Sequence, residues 1–371
     1  MPPPSDVPLK TGPSFAPWVP WGLAALMWIH HLGLWLVTSA REDLPLLVIL
    51  DRWDSLLYSV IVSEGYQWPL WVFLPLYPGL VWGVRQVLGG GIPPQLIGCL
   101  LSMLFLLGFI AWNTRWSRQG GLRPELAPQT SWGWFLLFYG PASFALHTHH
   151  TEALFLLLSF GALAFASRGA LVPAALLAAL CVWTRNQGIF VAISAAFLLA
   201  GCESTWRGRL TRFCTLGAVA LASFGGLLLF EWRHAGDPLA FVKSQSEWNH
   251  VDTVWGAIRG IWFGNPWHEK GVGGWMKLRH AYGALWLVGA LVLLRRDKAL
   301  GLYALLSLAV MLPQGDLGNS FRYSMVLFPL LFLAGDWLAQ RPVWLRWPAA
   351  VLIVWLNHEV THAYAVETWA Y

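Results

Sequence analysis

Apolar runs close to the length of a membrane-crossing helix, parted by short polar or basic connections, repeat along nearly the whole chain. They fall near 18–38, 92–112, 131–147, 152–167, 170–185, 187–202, 213–231, 281–294, 299–313, 323–339 and 345–363. A transmembrane helix needs about 20 apolar residues. The pattern therefore predicts an all-α polytopic membrane protein with about 11 transmembrane helices. Several runs are shorter than that, and broken or partly embedded helices are expected among them. Residues 70–88 are also apolar enough to span, yet Pro69, Pro75 and Pro78 argue against an uninterrupted helix there.

Charge decides how to treat 70–88. If that segment does not cross, short basic clusters at Arg115/Arg118/Arg123, Arg168, Arg207/Arg209/Arg212, Arg295/Arg296/Lys298 and Arg341/Arg346 all share one face. The positive-inside rule makes that face cytoplasmic. If it does cross, every one of these clusters moves outside. A surface-lying or re-entrant element over 70–88 is the expectation. The extracytoplasmic connections are then 39–91, 147–152, 184–188, 232–280 and 314–322, which hold nearly all the acidic and histidine residues able to do chemistry.

Composition fits this picture. Of 371 residues, 57% are hydrophobic and 12% charged, about half the charge of a soluble domain, and the mean hydropathy is +0.53. The net charge of +5 sits in short connections, so topology explains it better than nucleic acid does. Cys99, Cys181, Cys202 and Cys214 form no C-x-x-C pair and read as buried free thiols. Residues 1–17 form a Pro-rich polar tail, and the run behind it lacks a small-residue cleavage site, which reads as a retained anchor. The whole chain, 1–371, reads as one integral membrane domain.

Four stretches could carry chemistry. Asp51 and Asp54 would share a face if their stretch is helical, and one could serve as general base on a hydroxyl. The alternative is a polar loop that pairs them with Arg52 and Arg41. In HTHHTE, His147, His149, His150 and Glu152 could bind a metal, form a polar turn, or donate hydrogen bonds to a phosphate or sugar; the polar turn is favoured. WTRNQG and GNSFRY each place an arginine, Arg185 and Arg322, beside an apolar run. Either side chain could snorkel, or the two could bind an anionic headgroup through guanidinium forks. The connection from Glu231, with His234, Asp237, Lys243, Glu247 and His250, is long enough to suggest function. No Walker loop or G-x-G-x-x-G is present, so a soluble nucleotide donor finds no support.

Read in order, RWDSLLYSVIVSEGY, FLPLYPGL, PASFALHTHHTEALFLLLSFGALAFASRG, AALCVWTRNQGIF, GDPLAFVKSQSEW and SFRYSMVLFPL resemble the PIG-V family of polytopic mannosyltransferases, its bacterial members included. These stretches lie between about residues 51 and 335. The resemblance implies the GT-C class of glycosyltransferases, which use a sugar carried on polyprenyl phosphate and act on the non-cytoplasmic face. It implies that Asp54, in the Trp-Asp motif, is the essential acid of the first external loop, 39–91, with Asp51 in reserve, and that FLPLYP is a juxtamembrane element of that loop. Thr151 and Glu152 match the family's Thr-Glu pair, and Arg185 an arginine in a Thr-Arg motif. The Asn186-Gln187 that follows departs from the family's usual Pro-Thr, and the three histidines before Thr151 are foreign to it.

The expected activity is transfer of a sugar, mannose by resemblance, from a polyprenyl-phosphate donor to a glycolipid, glycan or protein hydroxyl, with inversion. Asp54 would be the base. Arg322, Arg185 or Lys243 would hold the departing phosphate, with Glu152, Tyr58 and His150 near the donor. No cofactor is required, and a divalent metal is possible but not expected. The location implied is the inner (plasma) membrane. A lipid-linked sugar flippase is the competing reading; it would need access from both faces and often shows inverted repeats, and none is seen.

Overall fold

The computed structural model describes residues 13–119, 122–247, 273–310 and 319–368, and every regular element among them is helical. Residues 1–12 of the polar tail, His250 with the rest of 248–272, and 314–318 lie outside the described residues. In chain order the helices are α1 (Val19–Glu42), α2 (Leu46–Ile49), α3 (Asp54–Glu64), α4 (Leu76–Val87), α5 (Pro94–Gln119), α6 (Ser131–Tyr139), α7 (Glu152–Ser167), α8 (Leu171–Val182), α9 (Gly188–Gly201), α10 (Trp206–Ala235) and α11 (Ala240–Ser244). After the long connection come α12 (Gly273–Arg296), α13 (Lys298–Ala309), α14 (Ser320–Tyr323), α15 (Phe328–Ala339) and α16 (Val343–Ala365).

The apolar pattern translates into two kinds of helix. By length and composition, Val19–Glu42, Pro94–Arg115 and Trp206–Ala235 can cross a membrane. A fourth span is available if Ser320–Val326 and Phe328–Ala339, bent by 94°, count as one. By contrast α7, α8, α9 and α13 are apolar but have 16, 12, 14 and 12 residues. At 1.5 Å per residue they reach only about 18–24 Å, short of a hydrocarbon core of about 30 Å. Hydropathy alone does not separate a short core helix from a span, which is why the sequence pattern yields more spans than helix length supports.

The short helices form the core. In α7 nearly every side chain is buried, as expected of a helix that is apolar all round. Phe109 of α5, Phe160 of α7 and Phe328 of α15 meet edge to face, with centroids 5.5–5.9 Å apart, and Trp134 of α6 closes the group at 5.8 Å from Phe109. Two expected spans are broken by proline. The run 131–147 stops at Tyr139, before Pro141, and resumes as a 3₁₀ turn at Ser143–Leu146. The run 323–339 bends just before Pro329, where the hydroxyl of Tyr303 donates to the freed carbonyl of Val326 at 2.9 Å.

Residues 70–88 form a 3₁₀ turn, Leu70–Val72, and then α4, whose 12 residues extend about 18 Å. Alone it is too short to cross. Pro69 and Pro75 do interrupt the chain, but Pro78 does not: it lies in the first turn of α4, where its missing N–H costs nothing.

The basic connections meet one another at one end of the bundle. Arg123 pairs with Asp297 at 2.5 Å, and Arg212 reaches both Glu203 at 2.5 Å and the Gly169 carbonyl at 2.6 Å. At the other end of α7, α8 and α9 lie Glu152, Arg185 and Gln187. Of the four cysteines, all free, Cys99 and Cys181 are buried as expected, whereas Cys202 and Cys214 are exposed.

Candidate active site

Asp54 opens α3, and the residue before it sets its direction. Trp53 has φ 52° and ψ −127°, a conformation that an L-residue adopts only under constraint, at a cost of about 1–3 kcal/mol. The chain is therefore not helical from Asp51 to Asp54, and the two carboxylates do not share a helix face. Asp51 instead accepts from Ser59 Oγ at 2.6 Å. Burial raises the Asp51 carboxyl above its ordinary range, and the Ser59 bond partly offsets that. Arg52 pairs with Glu367 rather than with either aspartate.

Asp54 lies in the first turn of its helix, where the macrodipole favours negative charge, and its Oδ2 takes Nη1 of Arg322. Glu152, in the first turn of α7, enjoys the same effect. Its Oε1 accepts from Nε of Arg322 and from Nη1 of Arg185, each at 2.5 Å. Arg185 Nη1 also donates to Thr151 Oγ1 at 2.7 Å, and its Nε to Gln187 Oε1 at 3.0 Å. The Tyr323 ring lies 5.4 Å from the Arg185 guanidinium carbon. Two carboxylates and two guanidiniums thus form one charge-balanced chain, Asp54–Arg322–Glu152–Arg185. The Oε2 of Glu152, fully buried, has no hydrogen-bond partner among the described residues.

The turn that presents Arg185 depends on a glycine. Gly188 packs so closely on the end of α8 that a Cβ there would lie 2.1 Å from the Cys181 carbonyl oxygen. This close approach lets α9 start immediately and folds Arg185 inward. Asn186-Gln187 follows the arginine, and Gln187 Oε1 accepts a hydrogen bond from Arg185 Nε.

The histidines do not converge on Glu152. His147 Nε2 meets His31 Nδ1 at 2.8 Å; His149 Nδ1 lies 3.4 Å from Ser59 Oγ; and His150 Nδ1 faces Thr148 Oγ1 at 2.8 Å and Ser55 Oγ at 3.3 Å. No group of three or more His, Cys, Asp or Glu side chains is placed to hold a metal among the described residues. Burial lowers His149 to about 3 and His150 well below the ordinary histidine value, Arg322 adding to the latter, so both imidazoles are neutral at physiological pH. This is the polar-turn reading of HTHHTE, with His150 packed close behind the charged chain.

Of the two other expected site residues, Lys243 lies elsewhere and Tyr58 lies beside the charged chain. Lys243, on α11, pairs with Asp237 and is largely exposed, so it joins neither Asp54 nor the arginines. Tyr58 is buried edge-on against Phe73 and Tyr77 and tilted against His149, close enough to Asp54, Arg322, Glu152 and Arg185 to feel their charges. The sequence reading missed a second buried network: His31 Nε2 with Asn357 Oδ1 at 2.9 Å, and Asn357 Nδ2 with Ser143 Oγ and the Gly140 carbonyl, each at 2.9 Å. Its signal was present as polar side chains in the middle of apolar runs. Arg279 of α12, buried beside Phe321 at 5.9 Å, was missed for the same reason.

The chain matches no protein-family model, no curated protein and no solved structure.

Proposed function

We propose that this protein is a multi-pass membrane glycosyltransferase of the GT-C class, similar to the PIG-V mannosyltransferases, with about 11 membrane segments, some of them short or bent. It would transfer mannose from a polyprenyl-phosphate carrier to an acceptor hydroxyl on the extracytoplasmic face of the inner membrane. One observation carries the reading. Asp54, Thr151-Glu152, Arg185 and Arg322, four of the places where the resemblance and the charge pattern put chemistry, meet in one chain of contacts. They come from four of the five connections that charge parity assigns to one face, while the basic connections meet at the other end.

In this proposal the acceptor oxygen attacks the anomeric carbon in line as the bond to the donor's phosphate oxygen breaks. The configuration inverts. The hydroxyl proton passes to Asp54, and the negative charge left on polyprenyl phosphate is held by guanidinium forks. Lys243 takes no part, and Tyr58 borders the cluster from its buried side. Glu152 acts through the arginines: it fixes where both guanidiniums point.

The test uses purified protein, polyprenyl-phosphate mannose labelled in the sugar, and a membrane lipid extract as acceptor source. A labelled glycoside should form, and Asp54→Asn should abolish it while the protein stays folded. Near-normal transfer by that variant would remove Asp54 as the base. Transfer from GDP-mannose without a lipid carrier would overturn the donor. Translocation of the labelled lipid across a vesicle with no new glycosidic bond would establish the flippase instead.

A further inference from the structure

The four charged groups are anchored unequally. Glu152 is fully buried and receives both guanidiniums on one oxygen. Arg185 is tied further to Thr151 and Gln187. Asp54, at the other end of the chain, keeps 20% of its side chain exposed. Arg322 gives one donor to each of these two settings: Nε to buried Glu152, and Nη1 to the more accessible Asp54. One edge of this guanidinium can change partner while the other keeps the side chain in place.

A phosphate presents the same forked oxygens to a guanidinium as a carboxylate does, with comparable or greater charge. An anion approaching from the accessible side meets Asp54 on Arg322 before it meets Glu152. We propose that Asp54 is an exchangeable placeholder on Arg322: the phosphate of the lipid-linked donor displaces it from Nη1, and that displacement frees the carboxylate to act on the acceptor. This rests on the transferase reading and deepens it, because it makes the reaction ordered. Without donor, Asp54 is engaged and the base is withheld; with donor, Glu152 holds Arg322 against the phosphate and Asp54 turns to the acceptor hydroxyl. No bond other than hydrogen bonds changes in the exchange.

Linkage makes the idea measurable. If phosphate and the Asp54 carboxylate compete for one guanidinium edge, removing the carboxylate's charge must tighten phosphate binding, by a factor within the usual range of about 5–150 for coupled sites. Binding of undecaprenyl phosphate and, separately, of inorganic phosphate is measured by tryptophan fluorescence for wild type, Asp54→Asn and Glu203→Gln. Glu203 pairs with Arg212 at the basic end, so its variant removes one negative charge far from the cluster. The expected result is roughly tenfold tighter binding of undecaprenyl phosphate by Asp54→Asn and no change for Glu203→Gln. Tightening toward the lipid alone assigns the site to a lipid headgroup; equal tightening toward inorganic phosphate assigns it to any phosphate; both support the exchange.

Equal or weaker binding by Asp54→Asn, with wild type binding normally, overturns the exchange and leaves the donor reading intact. No binding by any form overturns both. Should Asp54→Asn not fold, wild type alone decides. Carbodiimide labelling of Asp54, read by peptide mass spectrometry, should rise when undecaprenyl phosphate is added while Glu152 stays unlabelled. A fall or no change in Asp54 labelling overturns the proposal.

Discussion

Glu152→Gln tests how the cluster is held together, separately from the proposed transfer. The side chain keeps its shape and one carbonyl oxygen, but the negative charge between two guanidiniums is lost. Glu152 is fully buried, and each arginine donates to its Oε1 at 2.5 Å. Removing one partner of a buried pair costs about 3–5 kcal/mol, because the other charge is left uncompensated. Here two charges lose their partner, which raises the cost. Against that, Arg322 keeps Asp54, Arg185 keeps Thr151 and Gln187, and both arginines retain slight exposure. A net loss of about 3 kcal/mol is the balance. For a chain of this size that lowers the melting temperature by about 4 °C. The assay is thermal unfolding in detergent with a thiol-reactive dye, since buried Cys99 and Cys181 become reactive only on unfolding and exposed Cys202 and Cys214 set the baseline. Glu203→Gln is the internal comparison: it breaks an ion pair whose side chains are about a third exposed, worth no more than about 1 kcal/mol. If the two variants melt within a degree or two of each other, Glu152 does not anchor the arginines and the reasoning fails.

Lys243→Ala should leave transfer unchanged, because its ammonium is exposed and already paired with Asp237; a large loss of turnover would put Lys243 back in the site. Gly98→Ala should sharply reduce folded protein, since the added Cβ would fall 2.0 Å from His149 Cδ2; normal yield and melting temperature would contradict that packing. His149 gives a pH dependence with a definite sign. Its folded value, about 3, lies below the unfolded 6.5, so the unfolded chain takes up a proton first and stability falls as pH drops from about 6.5 toward 3. Melting temperatures measured from pH 7.5 down to 4.5 should fall less steeply in His149→Gln than in wild type, and equal slopes would refute the assignment.

Much of this site was legible in the chain, and the exceptions have physical causes. Asp54, Glu152, Arg185 and Arg322 stand out because a charge beside a long apolar run is costly and must be matched. What sequence spacing does not reveal is the partner. Asp51 lies three residues from Asp54 and looked like its companion, yet the strained Trp53 backbone breaks the helical register, and Asp51 goes to Ser59 instead. Lys243 looked available as a phosphate ligand, but Asp237 lies on the same short connection and takes it. The histidines allowed a metal site as an alternative to the favoured polar turn. Each instead found a hydroxyl or another imidazole in a different layer of the packing, a distribution that no spacing rule encodes.

Helix length connects the fold with the depth of the charged chain. Trp183, at the end of α8, donates its indole N–H to the Ser223 carbonyl at 3.0 Å, and Ser223 donates to the Ala179 carbonyl at 2.9 Å, so the end of α8 lies level with the middle of α10. From Ser223, α10 continues to Ala235, about 18 Å further at 1.5 Å per residue. Arg185 follows directly after Trp183 and Thr184, so it lies well below the end of α10, as does Glu152, which it contacts. The short helices thus do more than fill the core: by stopping early they set Glu152 and Arg185 back from the end of the long helix, where both are buried. In such a place a guanidinium binds an anion more strongly than at the surface, and an unmatched one is correspondingly costly. That is the physical reason for the carboxylates to be there at all. In the proposed reaction, an arginine pair that is to hold a phosphate needs counter-charges while no phosphate is bound. Glu152 supplies one permanently, and Asp54 supplies the other from the accessible side, where it can be given up.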